Sequence, residues 1–127
     1  MTTTDLSGRW DGRYSYADGR PDVAFAAVLQ DGGGAFTGTI EEVDAWEGPL
    51  QASVDGRRDG SRVSFVKFYD TGSAERFDTV AYEGTLSADN LEIDGVWRLP
   101  GGFSGRFLMI RAGGVEAEAE RRESVRV

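Results

Sequence analysis

Hydrophobic and polar residues alternate along most of this chain, and a period of two is typical of a β-strand with one buried and one exposed face. The first segment with this pattern, residues 6–16, has the sequence LSGRWDGRYSY. Its leucine, tryptophan, tyrosines and glycines fall on one side, and its serines, arginines and aspartate fall on the other. Short stretches rich in glycine and aspartate follow such segments, as expected of tight turns. The pattern predicts eight strands, over residues 6–16, 23–30, 35–43, 50–57, 62–69, 79–86, 91–99 and 103–111.

The connections between these strands determine the predicted fold. Each one is short enough for an antiparallel hairpin, and none has the length of a helical crossover. Eight such strands that share one apolar face satisfy their edge hydrogen bonds by closing into a barrel. We therefore predict an all-β protein, an eight-stranded antiparallel up-and-down β-barrel, with a two-sheet sandwich as the alternative. The barrel domain is expected to span residues 1–114, followed by a charged C-terminal tail over residues 115–127.

The fifth strand, over residues 62–69, has apolar residues on both faces. Val63 and Phe65 lie on one side of a period-two ribbon, whereas Val66 and Phe68 lie on the other. We favour Val63 and Phe65 as the inward pair. That choice also turns Lys67, the single lysine of the chain, toward the barrel axis near the end of the strand.

The lengths of the turns indicate which end of the barrel is open. The first, third and fifth turns, over residues 17–22, 44–49 and 70–78, are longer than the even-numbered turns. In an up-and-down meander the odd-numbered turns share one end, which we call the rim, and the even-numbered turns share the other, which we call the floor. Long loops at one rim are where binding residues are usually found.

Aromatic residues and glycines dominate the predicted inward positions. An eight-stranded barrel has an interior just wide enough for side chains or for one small ligand, so these residues either fill the interior or leave a cavity near the rim. Phe103 is predicted to face inward from the last strand. The residues that we predict to bind a ligand are Tyr14, Tyr16, Phe25, Trp46, Phe65, Lys67, Tyr69, Tyr82 and Trp97.

Gly8-Arg9-Trp10 in the first strand and Arg111 at the end of the last strand resemble the calycin superfamily, which includes lipocalins, fatty-acid-binding proteins and avidins. In those families a G-x-W tryptophan packs across the barrel floor against an arginine of the final strand. The resemblance implies a structural plug formed by Gly8, Trp10 and Arg111, with no catalytic role. An arginine over an indole is a favourable contact.

Among calycins, the chain is most similar to avidins in length and strand count. The segments FTGTI at 36–40, YEGTL at 82–86 and IDGVW at 93–97 resemble avidin strands. The positions that hold the biotin ureido ring in that family carry Gly12, Tyr16, Ile40 and Glu42 here, and only Trp97 matches a stacking tryptophan. We therefore do not expect biotin binding. A lipocalin-like barrel remains an alternative.

Composition excludes several kinds of chemistry. With no cysteine and no histidine, the chain lacks disulfides, thiolate nucleophiles, the usual general base and most transition-metal ligands. The net charge of −8 makes nucleic acid an unexpected partner, because phosphates require a basic face. We expect no cofactor and no metal. The N-terminal sequence has no secretory signal pattern and no apolar run is long enough to cross a bilayer, so no membrane partner and a cytoplasmic location are expected.

Two groups of polar residues carry other candidate chemistry. Glu41, Glu42, Asp44 and Glu47 are interpreted as a solvated acidic loop, with binding of a hard cation as the alternative. Lys67, Tyr69 and Asp70 could form an acid–base set at the mouth of the barrel.

The function favoured by the sequence is non-enzymatic binding of a small, partly apolar or aromatic molecule in the barrel cavity, so no residue is assigned a catalytic role. One alternative is a filled barrel that binds another protein or a second copy of itself through an outer face with Val66, Phe68 or Val96. The other is a metal-free isomerase or cyclase that uses Tyr16 together with the acid–base set.

Overall fold

The computed structural model of this chain describes residues 5–44, 48–69 and 79–112. The charged tail predicted over residues 115–127 lies outside these residues. Among the described residues, none forms a helix that is long and apolar enough to span a membrane. The strands are β1 (Gly8–Tyr14), β2 (Val23–Gly32), β3 (Ala35–Asp44), β4 (Gly48–Asp59), β5 (Arg62–Tyr69), β6 (Val80–Leu86), β7 (Glu92–Arg98) and β8 (Ser104–Arg111).

The eight strands form a closed antiparallel barrel in which each strand pairs with its neighbours along the chain. The barrel closes where β1 pairs with β8, in a register that sets Trp10 opposite Arg111 and Tyr14 opposite Phe107. The prediction of an up-and-down barrel is therefore confirmed, and the two-sheet sandwich is wrong. Closure removes every open sheet edge, because β1 and β8 supply hydrogen-bond partners for each other.

The predicted alternation describes the core well. In β2 the buried residues are Val23, Phe25, Ala27 and Leu29, at every second position. In β7 the same spacing buries Ile93 and Trp97.

The ambiguous strand β5 faces the way that the sequence analysis favours. Val63, Phe65 and Lys67 are buried, whereas Phe68 is 38% exposed.

Glycines on the inner face allow the barrel to close tightly at two places. A Cβ on Gly95 would collide with the backbone of Glu83 and Gly84 on β6. A Cβ on Gly105 would collide with the carbonyl oxygen of Ser15 and with the indole of Trp97. Any larger residue at these positions would push the strands or the indole apart, as expected where glycine marks a close approach.

Two predictions about the strand ends are wrong. The first strand was expected to begin at residue 6, with Gly8 on the inner face, but β1 begins at Gly8, which is exposed and has a φ of 123°. Phe103 is 54% exposed because it lies in the turn before β8 and not within the strand. Alternation holds only where the backbone is extended and paired, so it does not orient residues beyond the last ladder hydrogen bond.

Candidate ligand-binding site

The floor of the barrel is filled by side chains. Trp10 is completely buried, and its Nε1 donates a hydrogen bond to the carbonyl oxygen of Leu6 at 2.9 Å. The guanidinium of Arg111 lies over the indole, with Cζ 4.4 Å from the ring centroid. Gly8, next to this contact, has a φ of 123°, a conformation that residues other than glycine rarely adopt.

Backbone carbonyl oxygens accept the hydrogen bonds that the guanidinium of Arg111 donates. It donates hydrogen bonds to the carbonyl oxygens of Asn90 at 3.1 Å, Ser7 at 3.0 Å and Asp5 at 2.8 Å. Burial lowers the pKa of Arg111, and the nearby charge of Asp5 acts in the opposite direction.

Aromatic rings fill the middle of the barrel. Phe65 stacks on Tyr82 with centroids 4.6 Å apart and ring planes 9° apart, and Phe107 meets both rings edge-on. Two residues that the sequence analysis assigned to the ligand therefore have other surroundings. Phe65 lies in this packed layer, and Phe25 packs its ring beneath Gly12. Neither lines the cavity described next.

A cavity of about 380 Å³ lies at the rim end, above the aromatic layer. We call it the rim cavity. It brings together most of the predicted ligand-binding residues, although Trp46 lies outside the described part of the chain. Its lining residues are Tyr14, Tyr16, Arg20, Glu42, Leu50, Lys67, Tyr69, Val80, Tyr82, Trp97, Leu99 and Phe103.

The polar groups of the rim cavity converge on Glu42, which is 2% exposed. Its Oε1 accepts hydrogen bonds from the hydroxyl of Tyr69 at 2.7 Å and from that of Tyr14 at 3.2 Å. Its Oε2 forms an ion pair with Nζ of Lys67 at 3.1 Å. These contacts hold the carboxylate and the ammonium in one geometry despite their burial.

The interpretation of Glu42 as part of a solvated acidic loop is wrong. Glu41 is exposed, but β3 continues to Asp44, so Glu42 is still within the paired strand. It lies two residues beyond Ile40 on the same face and therefore points inward. The alternation that correctly oriented Phe36 and Ile40 carried this signal, which was missed because the acidic run was treated as a loop.

Three tyrosine rings surround the ammonium of Lys67, which is 1% exposed. Its Nζ lies 4.7 Å from the ring centroids of Tyr14 and Tyr69 and 5.4 Å from that of Tyr82. These are favourable cation–π distances. Burial lowers the pKa of Lys67, although the negative charge of Glu42 acts in the opposite direction.

The tyrosine hydroxyls remain protonated donors in this setting. Burial raises the pKa of Tyr14 and of Tyr69, and the negative charge of Glu42 raises both further. A phenolate beside a buried carboxylate would be strongly unfavourable. The cluster is therefore one carboxylate that receives hydrogen bonds from two phenols and one ammonium.

An aromatic wall rises above this cluster. The rings of Tyr14, Tyr16 and Trp97 meet edge-on with centroids 5.4–5.9 Å apart. Nε1 of Trp97 donates a hydrogen bond to the carbonyl oxygen of Ser15 at 2.8 Å, which fixes the indole. At the mouth, the guanidinium of Arg20 lies 4.4 Å from the ring centroid of Tyr16. A flat apolar molecule could lie along this wall with its polar end toward Glu42 and Lys67.

Other candidate features lie elsewhere. A larger groove of about 730 Å³ crosses the outer face of the barrel, where many of its lining side chains, including Arg13, Arg106 and Leu108, are exposed. It lacks converging buried polar groups, so it is not the candidate site.

Val66 and Val96 on the outer face are half-buried, and Asp70 lies outside the described residues. Within the described residues, no group of acidic side chains is arranged to hold a metal ion.

The fold and the cavity together define a small closed β-barrel with a polar cluster beneath an aromatic mouth. Neither protein-family models nor curated proteins match the chain. Among solved structures, the chain is similar to a protein described as the de novo design of a fluorescence-activating beta barrel. The TM-score is 0.63 and the identity 15%, over 84% of this chain and 93% of that chain. At this identity the similarity concerns the fold alone.

Proposed function

We propose that this barrel binds a small, partly apolar or aromatic molecule in the rim cavity, without converting it. The observation that carries the proposal is the buried Glu42–Lys67 pair at the bottom of a cavity with aromatic walls. Such a pair adds little to the stability of a core, because the desolvation of the two charges offsets most of the Coulombic gain. Polar groups that converge at the base of an apolar cavity are typical of ligand sites.

The dimensions of the rim cavity suit a small ligand. Its volume of about 380 Å³ is near the lower end of the usual range for ligand pockets, roughly 300–1,000 Å³. A flat ring would lie against Trp97 and Tyr16, and a polar substituent would reach the carboxylate or the ammonium below. The similar designed barrel, described as fluorescence-activating, is consistent with small-molecule binding in this kind of fold.

A calycin-like relationship is part of this proposal. The contact between Trp10 and Arg111, preceded by Gly8, is the arrangement that the resemblance implies for a calycin floor. It supports a kinship in which the floor is structural and the opposite mouth receives the ligand.

Calorimetric titration with a set of bicyclic aromatic probes tests the proposal. The set would include 2-naphthol, 2-naphthoate and 2-naphthalenemethanol, which share a ring system and differ in the polar end. We expect at least one probe to bind with one-to-one stoichiometry and to change the fluorescence of Trp97. The fluorescence change should be lost in Trp97→Phe.

Two matched variants locate the binding. Leu50→Phe enlarges a buried side chain in the rim cavity, and Val28→Phe enlarges one on the outer face, where Val28 is 50% exposed. The first should abolish binding and the second should leave it unchanged. Binding that survives Leu50→Phe and disappears in Val28→Phe would place the ligand outside the barrel and would refute the proposal.

A further inference from the structure

We infer that the rim cavity captures an aromatic or conjugated aldehyde covalently, as an imine between the aldehyde carbon and Nζ of Lys67, with Glu42 as the counter-ion. This inference rests on the proposed function and assigns a chemical class to its ligand. Lys67 lines the rim cavity, and its Nζ lies 3.1 Å from a carboxylate oxygen and 4.7–5.4 Å from the centroids of three aromatic rings. Reversible binding would use this group only as a charge, whereas an imine would use it as a nucleophile.

The surroundings of Lys67 favour an amine that can react. A lysine that is removed from water loses its proton more readily, which is how proteins activate amines toward carbonyl compounds. Burial lowers the pKa of Lys67 in this way. Glu42 adds a nearby group that can accept the departing proton, and the hydroxyls of Tyr14 and Tyr69 hold that carboxylate in place.

The proposed step balances without any further reagent. The ammonium of Lys67 transfers a proton to Glu42, and the freed electron pair of Nζ attacks the aldehyde carbon while the C=O π pair moves to the oxygen. A proton then passes from Nζ to this oxygen and gives a neutral carbinolamine. Glu42 returns its proton to the carbinolamine hydroxyl, the C–O bond breaks, and water leaves. Nζ keeps one hydrogen, so the product is a protonated imine. The reaction consumes one ammonium and one aldehyde and releases one water, with no change in net charge.

Conservation of charge explains why this site suits the product. Before and after the reaction a single positive charge lies beside Glu42 and among the rings of Tyr14, Tyr69 and Tyr82. The ion pair and the cation–π contacts that hold the ammonium can therefore also hold the iminium. The imine carbon formed from an aldehyde carries one hydrogen, so it needs little space beside Lys67. Its other substituent, a conjugated ring system, can extend toward the mouth along Trp97.

Reductive trapping tests the inference with the intact protein. The folded chain would be incubated at pH 7 with 2-naphthaldehyde and sodium cyanoborohydride, and the mass of the protein would be measured before and after digestion. Because Lys67 is the single lysine, the only other amine is that of the N-terminus, so one adduct mapped to Lys67 is unambiguous. We expect this adduct to form several-fold faster in the folded protein than in the protein unfolded in urea. An equal or lower rate in the folded protein would overturn the inference.

Two controls separate imine formation from simple binding. Lys67→Arg keeps a cation beside Glu42 but has no amine there, so it should retain only the adduct at the N-terminus. 2-Naphthalenemethanol has the same ring system and cannot form an imine, so an excess of it should protect Lys67 from trapping. The protection experiment requires no substitution and remains decisive if Lys67→Arg does not fold.

The outcomes distinguish this inference from the proposed function. Binding of the alcohol without trapping of the aldehyde at Lys67 would refute the imine and leave the proposed function intact. Trapping that is specific for Lys67 but insensitive to the alcohol would refute the idea that the aldehyde occupies the rim cavity. Failure of all the probes to bind would remove the proposed function itself.

Discussion

The floor and the rim cavity each hold a cation against aromatic rings, and they satisfy its charge differently. At the floor, Arg111 lies over Trp10 and donates to three backbone carbonyls, which are neutral groups at the edge of solvent. At the rim cavity, Lys67 is fully buried and relies on the carboxylate of Glu42. Water can replace the contacts of Arg111 at little cost in free energy, whereas it cannot replace those of the buried Lys67. The floor cation therefore contributes to closure, whereas the rim cation depends on a buried partner, as our proposed function expects of a site.

The two ends also differ in what lies beneath the cation. The indole of Trp10 is completely buried and packs against Arg111. Lys67 instead borders a cavity of about 380 Å³.

The largest effect is expected at the floor. Trp10→Ala removes a completely buried indole and leaves a cavity that the closed barrel cannot easily collapse, so we expect a loss of about 3–5 kcal/mol of unfolding free energy. Urea unfolding followed by circular dichroism measures this loss. In protein that remains folded, probe binding at the rim cavity should persist. Loss of binding in the folded variant would mean that the two ends are coupled.

The next effect is expected at the rim cavity, where Glu42→Gln leaves the ammonium of Lys67 buried without its counter-charge. We expect a loss of about 3 kcal/mol of unfolding free energy, because a buried charge without its partner is strongly destabilising. Lys67 can limit the loss by giving up its proton.

The matched control removes both charges. Glu42→Gln combined with Lys67→Met should recover to within about 1 kcal/mol of the unaltered protein, since no lone charge remains. A double variant as unstable as the single variant would indicate that the ion pair is not what the cluster depends on.

These two ends were not equally predictable from the sequence. Period-two alternation correctly oriented the core of β2 and β7, because alternation depends only on the local pleat. In β5, where both faces are apolar, the choice of Val63 and Phe65 as the inward pair placed Lys67 inside. Alternation also turns Glu42 inward, but its partners Tyr14, Lys67 and Tyr69 lie on other strands far along the chain. Only the register of the closed barrel brings those groups together. An acidic residue near a strand end therefore cannot be assigned to solvent from composition alone.

The aromatic layer below the rim cavity predicts a dependence on alkaline pH. Burial raises the pKa of Tyr82 well above its ordinary value of 10.0, and electrostatic interactions with Tyr69 and Glu42 raise it further. Above pH 10 the unfolded chain therefore loses this proton while the folded barrel keeps it, so the stabilising contribution is complete below pH 10 and declines as the pH rises. We expect the unfolding free energy of the unaltered protein to fall more steeply than that of Tyr82→Phe, by an amount that grows through pH 10 and approaches about 1.4 kcal/mol per pH unit above it.

Urea unfolding at pH 9, 10 and 11 measures that difference in slope. Lys67 acts in the opposite direction, because its lowered pKa makes the folded state bind its proton less tightly than the unfolded state does. This contribution is common to both proteins and cancels in the comparison. Equal slopes for the two proteins would mean that the Tyr82 hydroxyl titrates in the folded barrel.

The smallest effect is expected for Arg111→Met, which retains an unbranched apolar side chain over the indole and removes only the charge. The three carbonyls that Arg111 contacts can accept hydrogen bonds from water instead, and a partly exposed cation–π contact contributes little. We therefore expect a loss of about 1 kcal/mol of unfolding free energy. Urea unfolding measures this loss, with the Glu42→Gln variant in parallel. A loss at Arg111 as large as that at Glu42 would contradict the distinction between the two cations. A small loss with unchanged probe binding would mean that this guanidinium only covers Trp10. The buried Lys67 beside Glu42 would then have a different role from that of Arg111.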